Sequence, residues 1–190
     1  MDLLQRLRDG CCNQSDFELL SDRSLHARSL PLGSEWNVAP VIVSNNATRD
    51  AINVKAVEAF AARIGKELHW YHAVDKHLKQ TITDPTLIQK LEELHSGQTK
   101  HRLQRIPLVV GMPVAINQNF DVASGVVNGS HGFLRKIRYF INEEGRRCLK
   151  SCVVEIKGTD AVDIPRLPKH HFPILPDTTD LKFEHGPSRR

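Results

Sequence analysis

Two short stretches gather side chains suited to holding phosphates or base edges. In Ser44-Asn45-Asn46-Ala47-Thr48-Arg49-Asp50, several hydrogen-bonding side chains and one arginine lead into a helical pattern. A helix start presents unpaired N–H groups, so this placement suits a phosphate or a sugar. Plain N-capping by the same residues is the simpler reading. In the second stretch, residues 125–132 (GVVNGSHG), three glycines allow sharp turns or close backbone approach, and Asn128-Gly129 is a hairpin signal in its own right. The following segment, Arg135-Lys136-Ile137-Arg138-Tyr139-Phe140, alternates polar and apolar residues. One of its faces would present Arg138 with Arg135 or Lys136 to a nucleic-acid backbone; the alternative is a solvated outer strand.

Other chemistries lack their residues. Nucleotide hydrolysis needs a GxxxxGK[ST] loop whose backbone N–H groups cradle phosphates. The one Gly-Lys pair, Gly65-Lys66, has Phe60 at the first glycine position and Glu67 at the hydroxyl position. Neither Glu92-Glu93 nor Glu143-Glu144 follows an apolar strand as a Mg²⁺-binding pair would. His69 and His72, and the adjacent His170-His171, fall in no H-E-x-x-H pattern, and no cysteine pair has zinc-finger spacing. Cys11-Cys12 are neighbours, and Cys148 and Cys152 lie roughly 13 Å apart if they share a strand, too far for a bridge. There is no G-x-S-x-G elbow for a serine nucleophile.

A net charge of +4 and a pI near 9.0 lean toward an anionic partner, and the 10 histidines add positive charge at mildly acidic pH. Hydrophobic residues at 40% and charged residues at 25% fit a packed globular core. The start, MDLLQRLRDG, is charged and helical in pattern and differs from a secretory signal. No run approaches the roughly 20 apolar residues that span a bilayer.

The elements that position these residues follow from periodicity. Residues 1–30 predict two short helices in a hairpin, with Gly10 ending the first and Ser15 available to cap the second. Residues 39–44 (APVIVS) predict a strand buried on both faces, as in a parallel sheet. A helix follows to Gly65, capped by Thr48, with a stripe of Ile52, Val57, Phe60, Ala61 and Ile64; strand and helix together make half of a βαβ unit. Residues 67–74 predict a strand and 84–95 a helix opened by Asp84-Pro85. Strands are expected at 108–117, 132–141 and 147–156, with a turn at 142–145, and together suggest a small barrel. The proline-rich tail from Asp163 reads as an extended connector.

Residues 103–134 carry a pattern of apolar strand, Gly111-Met112-Pro113-Val114, Asn119, then Val127-Asn128-Gly129 and Gly132. This resembles the Pif-type ("petite integration frequency") DNA helicases, relatives of RecD in superfamily one. Residues 67–73 (ELHWYHA), Gln118-Asn119-Phe120-Asp121 and 143–147 (EEGRR) look closer still to fungal helicase-like proteins of Helitron transposons. Residues 3–8 with Gly10, Asp16 and Arg23 resemble the region after the family's fourth motif. Asn46, Asp50 and Asn53 match its T-N-x-x-x-D-x-x-N pattern.

The resemblance implies an α/β chain: a partial second RecA-like domain over 1–105, an SH3-like β-barrel insert over 106–160 and a truncated connector over 161–190. It implies a fragment of an ATP-dependent helicase acting in DNA repair, recombination, telomere maintenance or Helitron transposition, in the nucleus or the mitochondrion. ATP and Mg²⁺ are cofactors of the parent family; none is expected in this chain, which lacks the P-loop, the Walker B acids and the late motifs. The expected partners are single-stranded DNA and the missing remainder of the helicase, with no membrane. Asn46, Arg49, Asn119 and Asn128 carry over as binding candidates, joined by Arg135 and Arg138 from the strand pattern. Two other readings stay open: a non-catalytic nucleic-acid- or protein-binding SH3-like module, and a metal-dependent hydrolase.

Overall fold

A computed structural model describes residues 2–24, 41–159 and 164–182. The chain divides into two compact units, Met1–Ile42 and Val43–Arg190. In the first, α1 (Leu3–Arg8) is capped by Asp2, and Gly10 follows its end in the left-handed region with φ 69°. The next helix, α2 (Gln14–Asp22), is capped by Asn13 rather than Ser15. Asn13 closes a capping box: its side chain accepts from the Asp16 amide at 3.0 Å, and Asp16 accepts from the Asn13 amide at 3.1 Å. Arg6 donates to both Asp16 oxygens, at 2.7 and 2.5 Å, and ties α1 to α2. The Arg6 bond, with help from the Asn13 amide, holds the Asp16 carboxyl down at about 2. The rest of the predicted hairpin, residues 25–30, lies outside the described residues.

The strand expected at 39–44 does not form over its described part. Residues 41–44 adopt no strand; Val41 is 66% and Ile42 96% exposed. Residues 39–40 lie outside the described residues. A β-branched apolar run becomes a strand only when neighbouring strands accept its N–H and C=O groups, and none of the observed pairings includes it. Over the described residues the half βαβ unit therefore does not form.

The second unit begins with α3 (Asn46–Ile64). Asn45 is its cap, accepting from the Thr48 amide at 2.7 Å, so Thr48 lies inside the first turn rather than capping it. Gly65 ends the helix at φ 65°, where a Cβ would add strain. Val57 and Ala61 form its buried seam, flanked by Phe60, whereas Ile64 is 38% exposed.

The remaining strands are β1 (His69–His72), β2 (Lys76–His77), β3 (Gln80–Thr81), β4 (Arg105–Leu108), β5 (Pro113–Ala115), β6 (His131–Ile141), β7 (Arg147–Glu155) and β8 (His171–Ile174). Helix α4 (Pro85–Glu92) starts at an Asp84 cap with Pro85 in its first turn. β2 and β3 pair with each other, and the other strands form one mixed sheet in the order β4-β1-β7-β6-β5, with β8 added to β7. Only β1 and β7 run parallel, through His72 and Cys148. The core combines Tyr71, Leu108, Leu134, Val154 and Phe172, one from each of five strands, with Val57 and Ala61 of α3.

Three expectations change here. The strand expected at 108–117 is two strands: β4 ends at Leu108 and the chain turns before β5. There Gly111 donates to the Leu134 carbonyl at 2.7 Å, and Leu134 returns a bond to Met112 at 2.9 Å. No closed barrel forms among the described residues, because β4 and β5 end the strand order without pairing. β5 is three residues long and opens with Pro113, which has no N–H to donate. The tail is no mere connector, since β8 pairs along Cys152–Glu155 of β7 and buries Phe172 to 1% exposure. The sheet thus extends beyond residues 106–160 on both sides, taking in β1 and β8.

Phe172→Ala should lower unfolding stability by about 3–5 kcal/mol, while Leu175→Ala, at a 60% exposed position, should stay within about 0.5 kcal/mol. Urea denaturation checks this; equal, small effects would mean that β8 does not anchor the core.

Candidate nucleic-acid interface

The hairpin of β6 and β7 is set by its turn. Asn142 accepts from the Arg146 amide at 2.8 Å through its side chain, and Gly145 donates to the Asn142 carbonyl at 3.0 Å. Beyond the turn the register contains two irregularities, between Leu134 and Lys136 and between Arg138 and Tyr139. Their effect is to leave Phe133, Lys136, Arg138 and Phe140 opposite Glu155, Val153, Ser151 and Cys148, on the face turned away from Leu134 and the core. All four are exposed, with Phe133 at 41% and Phe140 at 37%. A cation sits against each ring: Arg135 lies 5.6 Å from the Phe133 centroid and Lys150 lies 5.2 Å from that of Phe140. Tyr139 serves the other face, edge-on to buried Tyr71 at 5.4 Å and under the Arg147 guanidinium at 5.7 Å.

The six residues expected at a binding site fall into three groups. Arg135 and Arg138 share β6 but differ in freedom. Arg135 donates to Glu155 at 2.7 Å, and this bond holds the Glu155 carboxyl below its usual range. The Arg138 side chain is exposed and has no ion pair or hydrogen bond among the described residues. Asn119 and Asn128 meet each other, the Asn119 side chain accepting from the Asn128 amide at 3.0 Å. Both are exposed on the loops between β5 and β6, where Gly125 and Gly129 supply positive-φ turns. Gly132 has a different reason: a Cβ there would stand 2.3 Å from the Glu155 carbonyl, so only glycine lets the strands approach this closely.

Asn46 and Arg49 form the third group, at the start of α3. Arg49 is engaged within the protein, bonding Asp50 at 3.1 Å and the Ser96 hydroxyl. Asp50 accepts from the Ser96 amide at 2.9 Å. Burial pushes the Asp50 carboxyl up, but the Ser96 and Arg49 bonds outweigh it and leave it lowered. A Cβ on Gly97 would come within 2.8 Å of the Asn46 side-chain nitrogen Nδ2, so this helix start is packed against the loop after α4.

Sequence reasoning left Phe133, Phe140 and Lys150 out of the site; the signal was aromatic residues interleaved with basic ones over 133–150. It also missed a polar cluster beside α4. Glu92 receives His72 at 3.1 Å, Arg146 at 3.1 Å and Arg105 at 3.6 Å, while Arg105 lies over Trp70 at 4.8 Å. His69 contributes nothing there, since its Nδ1 accepts from Arg147 at 2.8 Å on the opposite face of β1. Next to this cluster lies a cavity of about 500 Å³.

Lys66 follows the end of α3 rather than a phosphate loop and donates to the Val110 carbonyl at 3.3 Å, and Glu92 is surrounded by three basic side chains. No family model, curated protein or solved structure matches this chain.

His72 couples folding to pH. Burial lowers its pKa below the ordinary 6.5; Glu92 opposes this and Arg146 adds to it. The unfolded chain therefore binds more protons than the folded one below about pH 6.5, and stability falls as pH drops through that window. Urea midpoints at about pH 7.5 and 5.5 should show His72→Gln losing less stability on acidification than the parent protein. Equal losses would contradict the assignment.

Proposed function

We propose that this chain is the DNA-gripping part of a Pif-type helicase related to those of Helitrons, and that it holds single-stranded DNA along the outer face of β6 and β7. The observation that carries this reading is the row Phe133, Lys136, Arg138 and Phe140, exposed on one strand face with Arg135 and Lys150 against its rings. Each ring offers a flat surface to a base, a contact worth about 1–3 kcal/mol and indifferent to base identity. Lys136 and Arg138 then meet phosphates between the stacked bases. Asn119 and Asn128 add polar contacts from the adjoining loops. In this reading the sheet around β6 and β7 stands for the family's SH3-like insert, and α3 belongs to the second RecA-like layer. ATP turnover belongs to residues this sequence lacks, so the chain alone turns over no ATP. The nucleus or the mitochondrion is the expected place of action, and the motor of the helicase is the expected partner.

Fluorescence anisotropy with a labelled oligo-dT tests the reading. Affinity should fall with salt with a log–log slope near −0.7 for each phosphate contacted, about −1.4 for the contacts of Lys136 and Arg138. Arg138→Ala should weaken binding about five- to tenfold and reduce that slope by roughly 0.7, whereas Phe133→Ala should weaken binding with little change in slope. Absence of salt-sensitive binding at low ionic strength would overturn the proposal.

A further inference from the structure

Strand β6 is 11 residues long, yet only its start is paired on both sides. β5 covers residues 131–133, and Leu134 completes that pairing, accepting from Gly111 at 2.7 Å and donating to Met112 at 2.9 Å. Over residues 135–141 β7 lies along one edge, and among the described residues no strand lies along the other. The other outermost strands of this sheet each carry a proline, Pro107 in β4, Pro113 in β5 and Pro173 in β8, which removes a donor from their ladders. Residues 135–141 (RKIRYFI) contain none. An edge left open in this way is a template for another strand.

The turn fixes which backbone groups face that edge. Asn142 donates to the Arg146 carbonyl at 3.0 Å, so alternation also turns the backbone of Phe140, Arg138 and Lys136 toward β7. The N–H and C=O groups of Ile137, Tyr139 and Ile141 therefore point outward. Neither register irregularity breaks this row: the first makes Arg135 an extra residue on β6, and the second makes Lys150 an extra residue on β7. Side chains follow the same alternation. Tyr139 and Ile141, on the Tyr71 side of the sheet, are 44% and 55% exposed although apolar, while Lys136 and Arg138 stand exposed on the opposite side.

Charge decides what can lie there. A second copy of β6, paired over the three outward residues, would set Arg138 diagonal to its own copy, cation beside cation. A strand with carboxylates at alternate positions would instead pair with Lys136 and Arg138, and its intervening apolar residues would cover Tyr139 and Ile141. We propose that residues 136–141 are a docking edge for an extended acidic peptide of a partner protein, which adds to the sheet as an antiparallel strand. Its carboxylates would meet the two cations that the DNA reading gives to phosphates, so peptide and single strand would exclude each other. The edge itself does not depend on that reading.

The test uses the full 190-residue chain and a labelled, end-blocked octapeptide of alternating glutamate and valine. Anisotropy at low salt should show saturable binding, with the matching lysine–valine peptide held about tenfold more weakly. Methylating the valine amides, which would face β6, should weaken binding about tenfold as well. Hydrogen exchange reads the edge directly. On adding peptide, exchange at the amides of Ile137, Tyr139 and Ile141 should slow, while Lys136 and Arg138, already turned to β7, should not change. Arg138→Glu should weaken the acidic peptide about five- to tenfold and favour the lysine peptide; the exchange measurement needs no variant. No binding, or binding that leaves those three amides unprotected, would overturn the edge. Equal binding of the two peptides would overturn the choice of an acidic partner. Protected amides without any oligo-dT binding would leave the edge standing and the DNA reading overturned, and oligo-dT binding without peptide binding would do the reverse.

Discussion

Strand β7 is the constraint on which the second unit depends, because both of its edges are occupied. β6 runs along one edge for nearly its whole length, while β1 takes the start of the other edge at Cys148 and β8 takes its end from Cys152 to Glu155. Segments far apart in sequence, at residues 69–72 and 171–174, are thereby fixed to one strand. Their inward side chains, Tyr71 and Phe172, meet Val154 and the α3 seam of Val57 and Ala61 in a single core. Cys152, half-way along β7, has its thiol pushed up to about 11 by burial. Such a thiol packs as a small apolar group and stays unreactive near neutral pH.

The same arrangement defines what remains at the surface. α3 packs on one face of the sheet, and α4 with the β2–β3 hairpin stands by the other face near Cys148, where the cavity opens. Among the described residues no helix packs closely on β6, although Ser151 and Val153, opposite Arg138 and Lys136 on β7, are buried. Phe133 stays exposed there beside Arg135. A face of this composition is costly to leave in water without a partner, and stacking bases between phosphate contacts would cover both kinds of group together.

Much of this was legible locally. The α3 stripe and its Gly65 stop are written within one helix, and the β6–β7 turn is written in residues 142–145. What failed depended on distant partners. The run at 41–43 has the composition of a strand, but composition supplies no neighbouring edge. The HFPI of β8 shows no alternation, and becomes a strand only because β7 has a vacant edge for it. The same holds for the site. Arg138 could be read from alternation, yet two register shifts decide that Phe133 and Phe140 join its face. Arg49 looked free in sequence because its partner Ser96 lies 47 residues away.

The central claim is that the outer face of β6 and β7, and not the start of α3, touches DNA. Photocrosslinking of the chain to a bromodeoxyuridine-substituted oligo-dT, followed by mass spectrometry of the linked peptides, tests it most directly. The account predicts crosslinks at Phe133 and Phe140. Crosslinks confined to the Asn46–Asp50 turn, with none on β6, would contradict it.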